Sequence, residues 1–140
     1  MAGFSTTDYV AVAEFRAGLR RFLRRSERVA RASGLTPQRY LLLLMVRGAA
    51  DGSGRSTVTE LSERLQLAQS TVTELVARAE EAGLLWREQS QSDARVAHLM
   101  LTEEGERRLD QAFTGLSTER SQLRDAFTQL DDAELPEATQ

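Results

Sequence analysis

The stretch STVTELSERLQLAQSTVTELV, residues 56–76, decides how this chain folds. The hexapeptide Ser-Thr-Val-Thr-Glu-Leu occurs in it twice, at Ser56–Leu61 and at Ser70–Leu75. The flanks do not repeat: Ser-Glu-Arg-Leu follows the first copy and Val-Ala-Arg-Ala the second. A duplication this short cannot bury a core of its own. The copies read instead as two helix starts within one helix-turn-helix. In the first, Thr57 and Glu60 have the spacing of a capping box, each side chain reaching the other's backbone amide. Leu61 and Leu65 then give an apolar stripe to a short helix over about 58–65, and Leu67 follows a tight turn. The second helix spans about 69–82, with Val72, Leu75, Val76 and Ala79 inward and Gly83 suited to stop it. Because this helix begins near Gln69, the hydroxyls and amide of Gln69, Ser70, Thr71 and Thr73 are expected free on its outward side. Ala68 stands where a capping side chain worth ~1 kcal/mol is absent.

Working outward, Thr36-Pro37 starts an earlier helix, with Thr36 as N-cap and Pro37 in the first turn. Tyr40–Val46 is apolar on every side, which predicts a helix buried all round. Residues 48–54 form a glycine-rich loop without the strand and Gly-Lys-Ser/Thr that a phosphate-cradling loop requires. After Gly83 the apolar period falls to two. Leu84–Arg87 and Val96–Leu101 make a β-hairpin with Ala97, Leu99 and Leu101 on one side, Val96, His98 and Met100 on the other, and a polar tip from Glu88 to Ala94. Trp86 is expected to pack at the strand base. Thr102 caps one final long helix, in which Leu109, Leu116, Leu123 and Leu130 recur every seven residues beside Phe113 and Phe127.

The first helix, about Asp8–Arg31 and ended by Gly34, carries a second heptad seam of Val12, Phe15, Leu19, Phe22, Ser26 and Val29. Arg16, Arg20, Arg24 and Arg28 form a row on another face, with Arg21, Arg25 and Arg31 beside it. A solvated face and a phosphate- or partner-facing row are both open there. Two such seams have little to cover within 140 residues, so the terminal helices are expected to pair across a homodimer. The aromatics Phe15, Phe22, Phe113 and Phe127 are expected in the core.

Composition narrows the function. There is no cysteine, which excludes disulfides and thiolate metal sites, and the single histidine, His98, cannot build a metal site alone. Neither a nucleophile–base pair nor a cofactor motif is legible, so no enzyme and no cofactor is expected. The longest apolar run is far short of the ~20 residues of a membrane span. The N-terminus lacks the basic region of a secretory signal, and a cytoplasmic location is expected. Net charge is −3, and all eighteen basic residues are Arg. The charge is uneven: residues 1–47 hold nine Arg against three acids, and residues 101–140 hold four Arg against ten acids.

Helix, short helix, turn, helix and hairpin is the winged helix-turn-helix order. Residues 56–76, Glu80-Glu-Ala-Gly-Leu-Leu85, Asp93-x-Arg95 and Leu99-Met-Leu-Thr-Glu-Glu-Gly105 together resemble the MarR family of bacterial transcription regulators. The resemblance covers about residues 35–110. It implies a mainly α fold with a small β-hairpin wing, divided into an N-terminal dimerisation helix (1–34), a DNA-binding lobe (35–102) and a C-terminal dimerisation helix with a frayed tail (103–140). It further implies a homodimeric repressor of a pseudo-palindromic operator in double-stranded DNA, released by a small phenolic or aromatic effector near Phe15, Phe22 and Tyr40. In that reading Gln69, Ser70, Thr71 and Thr73 meet bases and phosphates in the major groove. Arg95 enters the flanking minor groove, held by Asp93. Arg78 touches phosphate or pairs with Glu74. Arg55, Arg64 and Arg87 are lesser phosphate candidates. The competing reading is a dimeric winged-helix adaptor without specific DNA binding, favoured by Glu74 on the reading helix and by the single Arg at the wing tip.

Overall fold

The computed structural model describes residues 3–132, and the expected frayed end beyond them lies outside the described residues. The elements run α1 (Thr6–Ala32), α2 (Pro37–Arg47), α3 (Val58–Leu65), α4 (Gln69–Glu81), β1 (Leu85–Gln89), β2 (Ala97–Leu101), α5 (Glu103–Gly115) and α6 (Ser117–Asp132). They fall into two compact units: Ala30–Thr114, and the described parts of Met1–Val29 with Gly115–Gln140.

Local chemistry sets most helix ends. Thr36 accepts from the Arg39 amide, with Pro37 in the first turn. The predicted capping box is complete: the Thr57 hydroxyl accepts from the Glu60 amide at 3.2 Å, and Glu60 accepts from the Thr57 amide at 3.4 Å. Thr102 accepts from the Gly105 amide at 3.0 Å and starts α5. One cap was not anticipated. Ser5 and Asp8 bond each other's amides reciprocally and start α1 two residues early. Gly34 and Gly83 take left-handed φ values of 78° and 75°, as the C-terminal positions of α1 and α4 require. The turn between α3 and α4 uses the same region without glycine: Gln66 sits at φ 56°, its side-chain amide bonded to the Glu63 carbonyl.

The larger unit packs α2, α3, α4 and the hairpin around one core. Leu42, Leu43 and Val46 of α2 meet Leu61 of α3, Val72, Val76 and Ala79 of α4, and Leu99 of β2. The strands pair antiparallel with Leu85 opposite Leu101 and Glu88 opposite His98. Ser56 adds an isolated bridge to Leu99 with both amide bonds made, at 3.1 and 2.8 Å. α2 is not buried all round. Tyr40, Leu42, Leu43 and Val46 are buried, whereas Leu41 is 41% exposed, because the neighbouring elements of the lobe cover only one side of this helix. Trp86 is likewise not packed at the strand base. It is 47% exposed, since alternation turns it to the outer face of a two-stranded sheet while Leu85 points inward.

In the other unit, Phe15 of α1 meets Phe127 of α6 edge-on at 6.0 Å, and Arg25 pairs with Glu119 at 3.2 Å. The core expectation for the aromatics holds only in part. Phe15 and Phe22 are half-buried, but Phe127 stays 58% exposed because two helices have no third layer to cover it. Phe113, in the larger unit, is also exposed. The leucine heptad does not give one helix: the chain breaks at Leu116 between α5 and α6. Gly115 explains the site of the break, since glycine costs a helix interior about 1 kcal/mol. It also permits close approach, because a Cβ there would lie 2.8 Å from Cγ1 of Val29.

Gly105, buried in the first turn of α5, faces the Leu84 backbone, and an added Cβ would overlap the Leu84 carbonyl oxygen. That oxygen also accepts from the Thr102 amide at 3.0 Å, so it cannot retreat without breaking the join between hairpin and helix. Gly105→Ala is expected to lower unfolding free energy by about 2–3 kcal/mol in urea titration. A loss under ~0.5 kcal/mol would refute this account of the α5 start.

Candidate nucleic-acid interface

The outward face of α4 is the first part of the site. Val72, Leu75, Val76 and Ala79 are buried, which turns Gln69, Ser70, Thr73, Glu74 and Arg78 to solvent and leaves Thr71 half-buried. Ala68 offers no side-chain cap, so the first amides of α4 remain open to an external acceptor at the positive end of the helix dipole. The expectation of free side chains needs correction at two residues. The Thr73 hydroxyl donates to the Gln69 carbonyl at 2.8 Å, the usual back-bond of a threonine within a helix, and keeps only acceptor capacity. The Gln69 amide reaches the Thr59 hydroxyl of α3 at 3.5 Å. Ser70 and Thr71 make no comparable side-chain bond among the described residues.

The wing is the second part. Its tip turns through Ser90–Val96, where the Val96 amide donates to the Asp93 carbonyl. The Asp93 carboxylate accepts from the Arg95 amide at 3.0 Å and from Arg95 Nε at 3.2 Å. Those two bonds, the backbone one first, hold the Asp93 carboxyl below the ordinary carboxylate range. The Arg95 guanidinium is thereby aimed but not covered, its side chain 90% exposed.

Between the two parts lies an open cleft of about 270 Å³. Gln69, Thr73 and Arg95 line it, together with Thr57 and Thr59 of the α3 start and Arg87 of β1. The fold therefore brings three of the seven residues chosen from sequence around one cleft. Ser70, Thr71, Arg78 and Asp93 lie outside its lining. Thr57 and Thr59 were missed as lining residues because the capping box accounted for that segment so fully.

The remaining arginines separate by partner. Arg87 is clamped by Glu80 of α4, with Nη2 to Oε1 at 2.5 Å and Nε to both oxygens at 3.2 Å. Arg64 donates to the Met45 and Gly48 carbonyls at 3.2 and 2.8 Å and so closes the C-terminal end of α2. Neither is available to a phosphate without breaking a structural bond. Arg78 makes no ion pair with Glu74 among the described residues, so both stand exposed on α4. His98 is half-buried opposite Glu88 in the hairpin. Of the aromatics assigned to an effector, Phe15 and Phe22 belong to one compact unit, and Tyr40, buried in α2, belongs to the other.

Comparison with known proteins agrees with this geometry. A model of the MarR family matches residues 33–96. The HTH-type transcriptional regulator YsmB of Bacillus subtilis is 35% identical over 82 residues, 59% of this chain and 54% of that protein. The HTH-type transcriptional repressor MdtR of the same organism is 30% identical over 82 residues, 59% of this chain and 50% of that protein. The chain thus spans about half the length of the curated relatives it matches. Among solved structures, AbsC, a MarR family transcriptional regulator from Streptomyces coelicolor, superposes with a TM-score of 0.71 at 22% identity, covering 95% of this chain and 93% of that one. A mutant MarR from E. coli complexed with operator DNA superposes with a TM-score of 0.68 at 19% identity, covering 83% and 84% of the two chains. These two superpositions show the shared fold.

The wing tip is testable directly. By carboxyl NMR titration Asp93 is expected to titrate below the ordinary aspartate midpoint. Its hold on the tip is then complete above that midpoint and is lost as pH falls through the lowered value. Arg95→Ala should raise the midpoint only part of the way, since the backbone amide of residue 95 still donates. A full return to the ordinary value would show that the guanidinium, and not the backbone, organises the tip.

Proposed function

On the premise that residues 33–96 of this chain form a winged helix-turn-helix lobe of the MarR family, we propose that the protein is a homodimeric, sequence-specific DNA-binding transcriptional repressor, cytoplasmic and non-enzymatic. The observation that carries the reading is the cleft in which the polar start of α4 and the exposed Arg95 of the wing share one opening. A helix of this kind enters the major groove with its N-terminal residues toward the base edges. Gln69 presents an amide suited to adenine, and Ser70 and Thr71 present hydroxyls that serve bases or phosphates alike. The uncapped amides of α4 supply phosphate donors without a formal charge. Arg95 extends from the wing for the adjoining minor groove, where negative potential favours a guanidinium. That a mutant MarR of the same fold is complexed with operator DNA supports DNA as the partner of this lobe.

Dimerisation is supported by apolar side chains left uncovered in the unit of α1 and α6: Tyr9 at 66%, Val10, Val12 and Phe127. A second copy covers them, and the reading helices then address half-sites about 34 Å apart on a pseudo-palindromic operator. A small phenolic or aromatic effector would act by favouring a dimer whose reading heads no longer match that spacing.

Selection of bound duplexes from random DNA tests the reading. A pseudo-palindromic consensus is expected, and Arg95→Ala should weaken its binding about 5- to 150-fold, the 1–3 kcal/mol of one good groove contact. Gln69→Ala should relax selection at one position of each half-site. Recovery of no consensus would favour the adaptor reading, to which the exposed Glu74 on α4 points. A thermal-shift series with phenolic acids tests the effector: a raised midpoint is expected, and no shift with any compound would remove that part of the proposal.

A further inference from the structure

The C-terminal part of α1 carries a feature that the winged lobe does not use. Residues 16–31 hold seven Arg and one acid, Glu27. Arg16, Arg20, Arg24 and Arg28 recur every four residues and so follow one side of the helix. The side opposite holds Phe15 and Phe22, half-buried, and the buried Ser26. All four arginines of the row are exposed. None takes part in an ion pair among the described residues; Arg25 beside them is the one that does, with Glu119. Like charges four residues apart cost a helix roughly 0.2–0.5 kcal/mol per pair. The row repeats that unfavourable spacing three times in succession, and Glu27 beside Arg20 and Arg24 is the one acid of this stretch set against it.

Several arginines elsewhere are occupied, and those without an ion pair among the described residues, such as Arg55 and Arg78, stand singly on separate segments. Arg47 pairs with Glu106, Arg87 with Glu80, and Arg107 and Arg108 with Glu104, while Arg64 is bound to backbone carbonyls. The row on α1 is therefore the concentrated unneutralised positive charge of the described residues. We propose that it is a second nucleic-acid surface, separate from the reading helix, which binds the phosphodiester backbone without regard to sequence.

Three considerations select this occupant. The row is built of guanidinium forks, which match phosphate oxygens bidentately. Its length, about 18 Å from Arg16 to Arg28 at 1.5 Å per residue, spans roughly ten phosphate charges of a duplex, so several lie within reach at any register. A lipid surface fits less well. A helix that lies on a membrane inserts its apolar face, and here that face is engaged within its own unit through Phe15 and Phe127. The available cations of the winged lobe, Arg55, Arg78 and Arg95 among them, are scattered over separate segments, whereas the row on α1 concentrates the counterion release that sustains non-specific binding.

The test uses the full chain and a duplex of about 30 bp with no selected site, titrated by fluorescence anisotropy from about 50 to 200 mM KCl. The variant R16Q/R20Q/R24Q/R28Q keeps helix propensity, and its fold is checked by circular dichroism. It should bind at least 10-fold more weakly at the lowest salt, with a log Kd–log salt slope smaller by about two to four per protomer. The half-variants R16Q/R20Q and R24Q/R28Q should each give about half that change. Arg95→Ala should lower this slope by no more than about one while weakening operator binding, so the size of the slope change distinguishes the two surfaces. An unchanged slope in the fourfold variant overturns the proposal. So does an unchanged slope with a weakened dimer in sedimentation, which would assign the row to an acidic segment of a second copy.

Discussion

The arrangement of the winged lobe depends on one residue that is neither charged nor large. Ser56 exchanges both backbone hydrogen bonds with Leu99, at 3.1 and 2.8 Å, and its hydroxyl points at the Met45 carbonyl at 3.5 Å. It is 2% exposed. The next residue, Thr57, caps α3. A dipeptide thus ties the end of α2, the inner wing strand and the start of α3 together. Because backbone bonds in a dry core are costly to leave unmade, α3 and the hairpin cannot shift independently. The turn at Gln66 then hands that constraint to α4. The cleft shared by Gln69, Thr73 and Arg95 is a consequence of this chain of local constraints.

Charge is distributed in a way that net charge conceals. The winged lobe spends its arginines on architecture. Arg87 joins β1 to α4 through Glu80, and Arg64 closes α2. The arginines left exposed for a polyanion include Arg95 on the wing, Arg78 on α4 and Arg55 before α3, with backbone amides and hydroxyls beside them. Such a surface favours discrimination over raw affinity, since neutral donors and acceptors carry base information and phosphate charges do not. The concentrated positive charge lies on α1, in the other unit.

The doubled Ser-Thr-Val-Thr-Glu-Leu shows how much of this was legible. In the first copy, Thr57 and Glu60 satisfy each other's amides within four residues, so the sequence sufficed. In the second copy, α4 begins at Gln69, ahead of the matching Thr71 and Glu74, and those residues fall inside the helix. Glu74 is left exposed with nothing to cap. Thr73, the counterpart of Thr59, turns its hydroxyl back to the Gln69 carbonyl, as interior helical threonines do. Identical letters take different roles according to where the helix starts, and that start depends on the αL turn at Gln66.

The sequence by itself determined the order of elements, the caps at Thr36, Thr57 and Thr102, the left-handed glycines at 34 and 83, and the polar character of the face of α4. These are settled within four or five residues, by hydrogen bonds and side-chain period. Only the tertiary structure decided which arginines are bound to a neighbour, that Leu41 and Trp86 face outward, that the last leucine repeat breaks at Leu116, and which polar residues meet at one cleft. Each of those depends on groups distant in the chain. Glu80 clamps Arg87 across an intervening turn, Val29 lies against Gly115, and Ser56 pairs with Leu99. Local periodicity contains no information about such partners, because a side chain's face is set by its own helix or strand and its contacts by the rest of the chain.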